Sequence, residues 1–246
     1  EVKLFARAAR RIGSAVSTEV DGYLRQGTKA FLAGEHATAR GVFEALLPAI
    51  ADGDIDLGQH EMVDEVLTVN QHECAAQYLM SIYLTTPLVD RAEAVSRAIE
   101  AVRGLGLFWS PLKQMEQVAM GPLSEFDAFR PLWVEHIERM PTSEADWESD
   151  RDRWLREAVM RLEGVAGLER IARKTKKPDA LRAWCQALTA KGAWAEALRA
   201  FDAAGKLTGK SPWRGDYLDG AALAAQQLGR RDATTRLEKA WRGAPS

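Results

Sequence analysis

The sequence lacks any run of about 18 apolar residues, the minimum that a membrane-spanning helix requires. The longest candidate is AAQYLMSIYLTTPLV at 75–89, and Thr85, Thr86 and Pro87 interrupt it. This stretch is more typical of a buried helix end. We therefore predict that the chain has no membrane partner.

Cysteine is also scarce, with only Cys74 and Cys185 in 246 residues. Both fall inside helical patterns, where a free cysteine behaves as a small buried side chain. A disulfide between them is an open alternative, but two reduced thiols fit the low cysteine count better. Reduced thiols indicate a reducing compartment, and we expect a cytoplasmic protein.

The common enzyme motifs are absent, since the sequence has no G-x-x-x-x-G-K-[ST] loop and no G-x-S-x-G elbow. The stretch RGLGLFWSP contains Gly104 and Gly106 but lacks the third glycine and the preceding strand of a dinucleotide loop. It is typical of a packed turn in which Phe108 and Trp109 fill a gap between helices, or of an exposed pair that anchors a partner. We expect no enzyme activity, no catalytic residues and no cofactor.

The stretch DGDIDLGQHE resembles the beginning of a metal site because Asp52, Asp54 and Asp56 alternate. A calcium loop requires oxygen ligands at loop positions 1, 3 and 5, a glycine at position 6 and a glutamate at position 12. Counted from Asp52, the chain has Leu57 at the glycine position and Val63 at the glutamate position. We predict a turn between two helices, with the aspartates near a helix start.

Histidine is limited to four residues, of which His60 and His72 are each followed by a glutamate. Zinc bound to a helix requires ligands three or four positions apart, as in H-E-x-x-H, and neither histidine has such a partner. We therefore predict no metal site. The enzyme alternative needs a polar or metal cluster within the acidic 52–73 region, assembled from Asp52, Asp54, His60, Glu61, His72 and Glu73.

Helix-forming sequence is what the chain has in abundance. Ala, Leu, Glu and Arg dominate, apolar residues recur at spacings of three and four, and alternating β-branched runs are absent. With 46% apolar and 28% charged residues, the composition is that of a globular chain with a sizeable core. We predict an all-α protein of about a dozen helices joined by short loops.

Capping signals predict where helices begin and end. Asn70 with Glu73 forms a capping box before an apolar helix, and Ser143 with Asp146 predicts the start of a long helix. Glycine and proline predict the breaks between helices. These breaks fall at 104–111, 121–122, 141, 177–178 and 205–212.

The net charge of −2 conceals an uneven distribution. Residues 51–150 contain 6 Lys and Arg against 19 Asp and Glu, whereas residues 151–246 contain 20 against 11. An acidic middle beside a basic end indicates either two surfaces for different partners or two parts that attract each other. We favour the second interpretation because it requires no external partner.

Three segments share a spacing of small and aromatic residues. Within residues 23–47 the positions are Gly27, Gly34, Ala39, Phe43 and Leu46. Within residues 181–204 they are Cys185, Gly192, Ala197, Phe201 and Ala204. A third copy begins near Tyr217, with a turn one residue shorter, and has Ala222, Gly229, Ala233, Leu237 and Ala240.

These intervals resemble the tetratricopeptide repeat, in which a small residue in the first helix and an alanine and phenylalanine in the second let two helices pack closely. The resemblance covers residues 19–50 and 178–243, while residues 52–177 lack the spacing and are either degenerate repeats or an inserted bundle. It implies stacked antiparallel helical hairpins that form an α-solenoid. Residues 1–177 are then a helical region with one repeat-like hairpin and an acidic middle, and residues 178–246 are C-terminal repeats that continue the same solenoid.

Proteins that resemble this family bind a partner peptide or protein in a concave groove lined by the first helices of the hairpins. The resemblance therefore implies a non-enzymatic, protein-binding scaffold. No copy has the Lys and Arg cluster with which some members clamp a C-terminal carboxylate, so that partner class is not expected. Transferred by position, the groove residues are Asp21, Leu24, Thr28 and Phe31 in the first copy, Asp179, Arg182, Gln186 and Thr189 in the second, and Asp216, Asp219, Leu223 and Gln226 in the third.

Nucleic-acid binding is the other alternative, through the basic segment ERIARKTKKPDALR at 169–182. Its six Lys and Arg residues are able to follow a phosphate backbone. However, cations near a helix C-terminus are favoured by the helix dipole, and Pro178 ends the helix there. The segment also lacks the interleaved aromatic residues of single-strand binders. We do not expect nucleic acid as a partner.

Overall fold

The computed structural model describes residues 1–58, 66–106, 110–143, 148–209 and 212–243. In these ranges the chain is helical and contains no strand, which confirms the prediction of an all-α fold. The helices in chain order are α1 (Val2–Ile12), α2 (Ser17–Leu32), α3 (His36–Ala51), α4 (Gln71–Thr85), α5 (Leu88–Ala101), α6 (Pro111–Val118), α7 (Phe126–Arg139), α8 (Asp150–Leu162), α9 (Val165–Thr175), α10 (Pro178–Ala190), α11 (Trp194–Leu207), α12 (Arg214–Gln227) and α13 (Ala233–Gly243).

The chain forms two compact units, Glu1–His136 and Ile137–Ser246. The first unit contains α1 to α6 and most of α7, and the second contains α8 to α13. In the second unit every helix from α8 to α13 packs against the next one along the chain.

The first unit is built around α4, whose sequence QHECAAQYLMSIYLT is apolar or small on almost every side. Eleven of its 15 residues are buried, and α2, α3, α5 and α6 pack against it. A helix that is apolar all round is stable only inside a core, which is the position that α4 occupies. No helix in the described ranges, α4 included, combines the length and hydropathy that a membrane span needs.

The hairpin of α2 and α3 depends on Gly27. This glycine faces Val42 and Phe43, and a Cβ atom at its position would lie 2.8 Å from a ring carbon of Phe43. Phe43 is fully buried, so its ring has little room to move. The small residue therefore permits the close helix packing that the spacing predicts.

Three turns share one backbone geometry, at Gly34, Gly192 and Gly229. Their φ angles are 78°, 66° and 64°, in the left-handed region that other residues disfavour. In each turn the glycine N–H donates to the carbonyl three residues earlier, and the following N–H donates to the carbonyl five residues before it. The three turn glycines singled out in the sequence are therefore structurally equivalent.

The second unit contains three helix pairs, α8 with α9, α10 with α11 and α12 with α13. In the middle pair, Cys185 and Ala204 are fully buried. Phe201 of α11 packs on Gly220 of α12, where a Cβ atom would overlap the phenylalanine ring. The first pair lacks the repeat spacing in its sequence. Its turn at Gly164 also has a different backbone, with φ of 65° and ψ of −144°.

Two local predictions about loops and helix starts agree with the structure. Asn70 caps α4, since its side-chain oxygen accepts the Glu73 N–H at 3.1 Å. Gly104 lies in a packed turn, where a Cβ atom would overlap the carbonyl of Ala51. Phe108 and Trp109, which we predict either to fill a gap between helices or to anchor a partner, lie outside the described residues.

The helix start predicted at Ser143 is wrong. Helix α8 begins after Ser149, whose hydroxyl accepts the Asp152 N–H at 3.2 Å and whose own N–H donates to the Asp152 carboxylate at 3.4 Å. Both serines have an acidic residue three positions on, so the spacing alone does not distinguish them. Asp146, the predicted partner of Ser143, lies outside the described residues.

The aspartate-rich stretch after α3 forms the predicted turn. The Asp56 side chain accepts the Gly58 N–H at 2.8 Å, as in other aspartate turns. The Asp56 backbone pairs with the α1–α2 connection, accepting the Ala15 N–H at 2.9 Å and donating to the Gly13 carbonyl at 3.0 Å. These bonds give the stretch a structural role.

Candidate functional site

In the first copy, none of the four predicted groove residues is fully exposed, and Asp21 and Thr28 contact α4 or the segment that precedes it. Leu24 is 0% exposed and Phe31 is 1% exposed, so both belong to the core of the first unit. Asp21 is also buried. Of the four predicted residues in this copy, only Thr28 reaches the surface.

Asp21 fixes the segment that leads into α4. Its carboxylate accepts the Thr68 N–H at 3.0 Å, the Thr68 hydroxyl at 2.5 Å and the Val69 N–H at 3.2 Å. Burial raises the pKa of this carboxyl, but the hydrogen bonds from Thr68 and Val69, together with the Arg25 charge, outweigh burial and hold the pKa below its ordinary value. Asp21 is therefore an ionised, buried hydrogen-bond acceptor with a structural role.

An open cleft of about 770 Å³ lies between α2 and α4, and we call it the α2–α4 cleft. A hydrogen-bonded chain crosses its wall, because the Thr28 hydroxyl donates to Gln77 at 2.8 Å and the Gln77 amide donates to Glu73 at 3.1 Å. The cleft carries charge of both signs and an apolar edge. The residues that give it this character are Arg25, Thr28, Lys29, Leu32, Asn70 and Glu73.

The cleft residues Arg25, Lys29 and Leu32 are not among the predicted groove residues. They are exposed and follow each other at spacings of four and three, so they form one stripe on α2. Each lies one position after a predicted residue. The signal that identifies them is residue type, since charged Arg25 and Lys29 fit a solvated face better than Leu24 does.

In the second and third copies, the predicted residues lie on the surfaces of α10 and α12. The exposed members are Gln186, Asp216, Asp219, Leu223 and Gln226. The half-buried members are Asp179, Arg182 and Thr189. All three half-buried residues are on α10, and their partial burial leaves their polar ends near the surface.

Arg182 connects the two helices. Its guanidinium lies 3.6 Å from the Asp216 carboxylate of α12 and 4.0 Å from the Asp179 carboxylate of its own helix. Tyr217 of α12 donates to the Pro178 carbonyl of α10 at 2.7 Å. These two contacts join the start of α10 to the start of α12, and we call the surface formed by the predicted residues of both helices the α10–α12 face.

Most cations of the basic segment at the end of α9 have acidic partners. Arg170 lies 2.6 Å from Glu163 and 2.7 Å from Glu138, and Lys177 lies 2.7 Å from Asp152. The other members with an acidic partner are Arg173 and Arg182. These ion pairs reduce the positive charge that the segment offers to a phosphate backbone.

Within the described residues, no group of three or more His, Cys, Asp and Glu side chains is arranged to hold a metal ion. His60 and Glu61 of the predicted alternative cluster lie outside those residues. Asp54 lies 4.0 Å from Arg10, and Glu73 accepts the Gln77 amide. Asp54 and Glu73 thus have partners within the fold.

Both cysteines are free and buried, so the disulfide alternative is not found. Burial raises the pKa of Cys74 to about 11 and the pKa of Cys185 to about 12. A thiol with such a pKa is almost fully protonated at neutral pH and is a weak nucleophile. The two side chains act as small core residues, as their positions in the helical patterns predict.

No protein-family model, no curated protein and no solved structure matches the chain. The interpretation of its surfaces therefore depends on their own geometry and chemistry. The α2–α4 cleft and the α10–α12 face each join two helices that are not consecutive in the chain, and both are open to solvent.

Proposed function

We propose that the protein is a non-enzymatic interaction module, a tetratricopeptide-like solenoid that binds a partner peptide or protein along the first helices of its pairs. It acts as a cytoplasmic scaffold and needs no cofactor. The common turn geometry at Gly34, Gly192 and Gly229 supports the repeat, as does the packing of Gly27 on Phe43. Helical pairs of this kind bury their remaining faces by stacking, which leaves a continuous surface for a partner.

The α10–α12 face is the observation that carries this proposal. The contact of Arg182 with Asp216 joins two helices whose neighbouring side chains are polar and exposed. Among them Leu223 is 47% exposed, which is a large apolar side chain surrounded by hydrogen-bonding groups. An apolar anchor with a polar rim is the usual anatomy of a protein interface.

The α2–α4 cleft supports the same function in the first unit. It is concave, it is preformed by the Asp21 bonds to Thr68, and it offers both cationic Lys29 and anionic Glu73. A cleft of mixed charge fits a peptide better than it fits a polyanion, because Glu73 repels phosphate. The cations of the basic segment also favour a peptide over a polyanion, because Arg170 and Lys177 are already paired with carboxylates.

Affinity capture from a lysate of the source organism tests the proposal. Wild-type protein is compared with an Arg182→Glu, Leu223→Glu variant, and captured proteins and nucleic acids are both identified. We expect a protein that the wild type retains and the variant loses, because both changes fall on the α10–α12 face. The matched control is Ala195→Glu, Arg199→Glu, which makes the same charge change at exposed positions of α11.

The control variant is expected to retain the partner. Capture that is identical for all three proteins would contradict binding at this face. Retention of nucleic acid that disappears at high salt, with no captured protein, would transfer the function to the basic segment. Circular dichroism of each variant checks that loss of binding is not loss of fold.

A further inference from the structure

Helix α1 is attached to the first unit along a narrow line of small residues. Ala6 and Ala9 are its buried residues, and it packs against α3. Phe5 adds a ring contact with Tyr23 of α2, with centroids 4.8 Å apart. Immediately after the helix, the Gly13 carbonyl accepts the Asp56 N–H at 3.0 Å. Helix α1 is therefore held in place while most of its circumference faces solvent.

One exposed stripe of α1 is cationic. Lys3, Arg7 and Arg11 follow each other at spacings of four, and in the described residues none of them has an acidic group within ion-pair distance. Arg10 makes only a long contact, 4.0 Å, with Asp54. Lys3, Arg7 and Arg10 form one wall of a groove of about 740 Å³ between α1 and α3. Glu44 also lines this groove, but it lies 3.6 Å from Arg40 of its own helix, so the groove carries a net positive charge from the three cations of α1.

The neighbouring stripe of α1 is apolar. Leu4 and Ile12 are 69% and 71% exposed, and Ala8 lies between them at the same spacing of four. Val16, which is 60% exposed, continues the stripe beyond the helix. Ile12 and Val16 border a second groove, of about 1150 Å³, whose floor includes the buried side chain of Leu57. Large apolar side chains with this exposure mark an interaction surface when they are contiguous.

Residues four apart on a helix lie above one another, so the two stripes run side by side along the axis. A partner laid along α1 therefore meets cations on one edge and apolar side chains on the other. The complementary partner carries acidic residues on one edge and apolar residues on the next. An amphipathic helix with glutamates beside leucines has this pattern.

We propose that α1 is a docking ridge for an acidic amphipathic helix of a partner protein. The leucine edge of that helix enters the groove bordered by Ile12 and Val16, and its carboxylates face Lys3, Arg7 and Arg11. None of its residues belongs to the α2–α4 cleft or to the α10–α12 face, so the inference does not depend on what those surfaces bind.

The shape of the surface favours a helix over an anionic lipid surface. A bilayer accepts a protruding apolar side chain, but it does not enter a groove whose floor is a buried residue such as Leu57. The apolar residues of α1 border a concavity of this kind, and the cations lie on one flank only. A helix is narrow enough to lie in the groove and still reach the cations, because its diameter with side chains is about 10–12 Å.

Fluorescence anisotropy with two synthetic peptides tests the proposal on the full chain. Each peptide is a labelled amphipathic helix about 18 residues long. One peptide has glutamates beside its leucine stripe, and the other has lysines in the same places. We expect the acidic peptide to bind at least about tenfold more tightly than the basic peptide, with an affinity that falls as salt rises.

Variants of α1 locate the binding. We use a double variant, Arg7→Glu with Arg11→Glu, and a single variant, Ile12→Ser. We expect each of the two to weaken binding of the acidic peptide by about tenfold. The matched control is Lys206→Glu, Lys239→Glu, which makes the same charge change as the double variant at exposed positions of the second unit and is expected to stay within about twofold of wild type. All changes are at exposed positions, and circular dichroism verifies that the variants fold.

Three results would overturn the proposal. These are equal binding of the two peptides, no binding of the acidic peptide at about millimolar concentration, and binding that the α1 variants leave unchanged. Sedimentation with phosphatidylserine-containing vesicles is the second arm. Vesicle binding that the Arg7→Glu, Arg11→Glu variant abolishes, without a preference between the peptides, would assign α1 to an anionic lipid surface and overturn the docking of a helix.

Discussion

Equivalent faces of the first helices have opposite surroundings in the two units. On α2, Leu24 and Phe31 are buried in the core of the first unit. On α12, Asp219 and Gln226 occupy the same positions of the shared spacing and are exposed. The two hairpins have the same turn, since Gly34 and Gly229 adopt the same backbone. What differs is the burial of the equivalent positions on the first helix.

This difference teaches that hairpin formation and groove formation are separate properties. The turn glycine and the small residues determine how two helices pair, and these are local contacts. Exposure of a helix face depends on which other helices pack against it, and in the first unit α4 packs against α2 as well as α3, α5 and α6. A repeat spacing therefore predicts a hairpin reliably but does not by itself predict a groove.

The largest expected effect comes from truncating the covered face. Phe31→Ala removes a fully buried aromatic ring, and we expect it to lower the free energy of unfolding of the first unit by about 3–5 kcal/mol. Gln226→Ala at the equivalent position of α12 is expected to change stability by less than about 0.5 kcal/mol. Native-state hydrogen exchange, read separately in α2 and α12, measures both. Equal effects at the two positions would remove the distinction between the units.

Two of the three aspartates at the first groove position, Asp21 and Asp216, sharpen the comparison. Asp21→Asn keeps one acceptor oxygen but turns an amide toward the N–H groups of Thr68 and Val69, so we expect a loss of about 1–3 kcal/mol. Asp216→Asn breaks only an exposed contact with Arg182 and is expected to cost less than about 1 kcal/mol. Urea denaturation of both variants provides the measurement. A larger cost at Asp216 would contradict the structural role of Asp21.

Glycine contacts between helices provide a third comparison, now inside the second unit. Gly220→Ala forces a methyl group into the Phe201 ring, and we expect a loss of about 1–3 kcal/mol from overpacking. Gly215→Ala lies on the same helix with nothing within 4 Å of its added Cβ, so improved helix propensity is expected to stabilise α12 by about 0.5 kcal/mol. Thermal melts of the two variants should shift in opposite directions. A lower melting temperature for both variants would mean that contact with Phe201 is not what destabilises Gly220→Ala.

The acid sensitivity of the Asp21 bonds is a smaller effect with a defined sign. Burial raises the pKa of Asp21, but its hydrogen bonds with Thr68 and Val69 leave the folded pKa below the unfolded value of about 3.9. The stability it contributes is therefore complete above about pH 4 and is lost as the pH falls through the folded pKa. Urea midpoints of wild type and Asp21→Asn, measured from pH 7 to pH 3, should converge at the acid end. A gap that widens toward low pH would contradict this assignment.

The smallest expected effect on stability is at the proposed binding face. Arg182→Ala removes a half-exposed ion pair with Asp216, and such pairs contribute about 0–1 kcal/mol. We expect its melting curve to lie close to that of wild type while partner capture weakens. A large loss of stability would indicate that Arg182 is structural and would remove it from the binding face.

The sequence alone predicts the helical class, the turn glycines, the Asn70 cap and the packing role of Gly27, because these depend on local spacing. It does not predict that α4 packs against α2, since that contact joins segments that are far apart in the chain. The residue types carry part of the missing information. Leucine and phenylalanine on α2 favour burial, whereas aspartate and glutamine on α12 favour water.

Site-specific photo-crosslinking is the most direct test of the central claim, which is that a partner binds at the α10–α12 face. A photoreactive phenylalanine analogue replaces Gln186 on that face in one protein and Arg199 on α11 in another, and both positions are exposed. The account predicts a crosslink to the captured partner from position 186 and none from position 199. Crosslinking from 199 alone would contradict the account, because the partner would then lie on the second helices of the pairs.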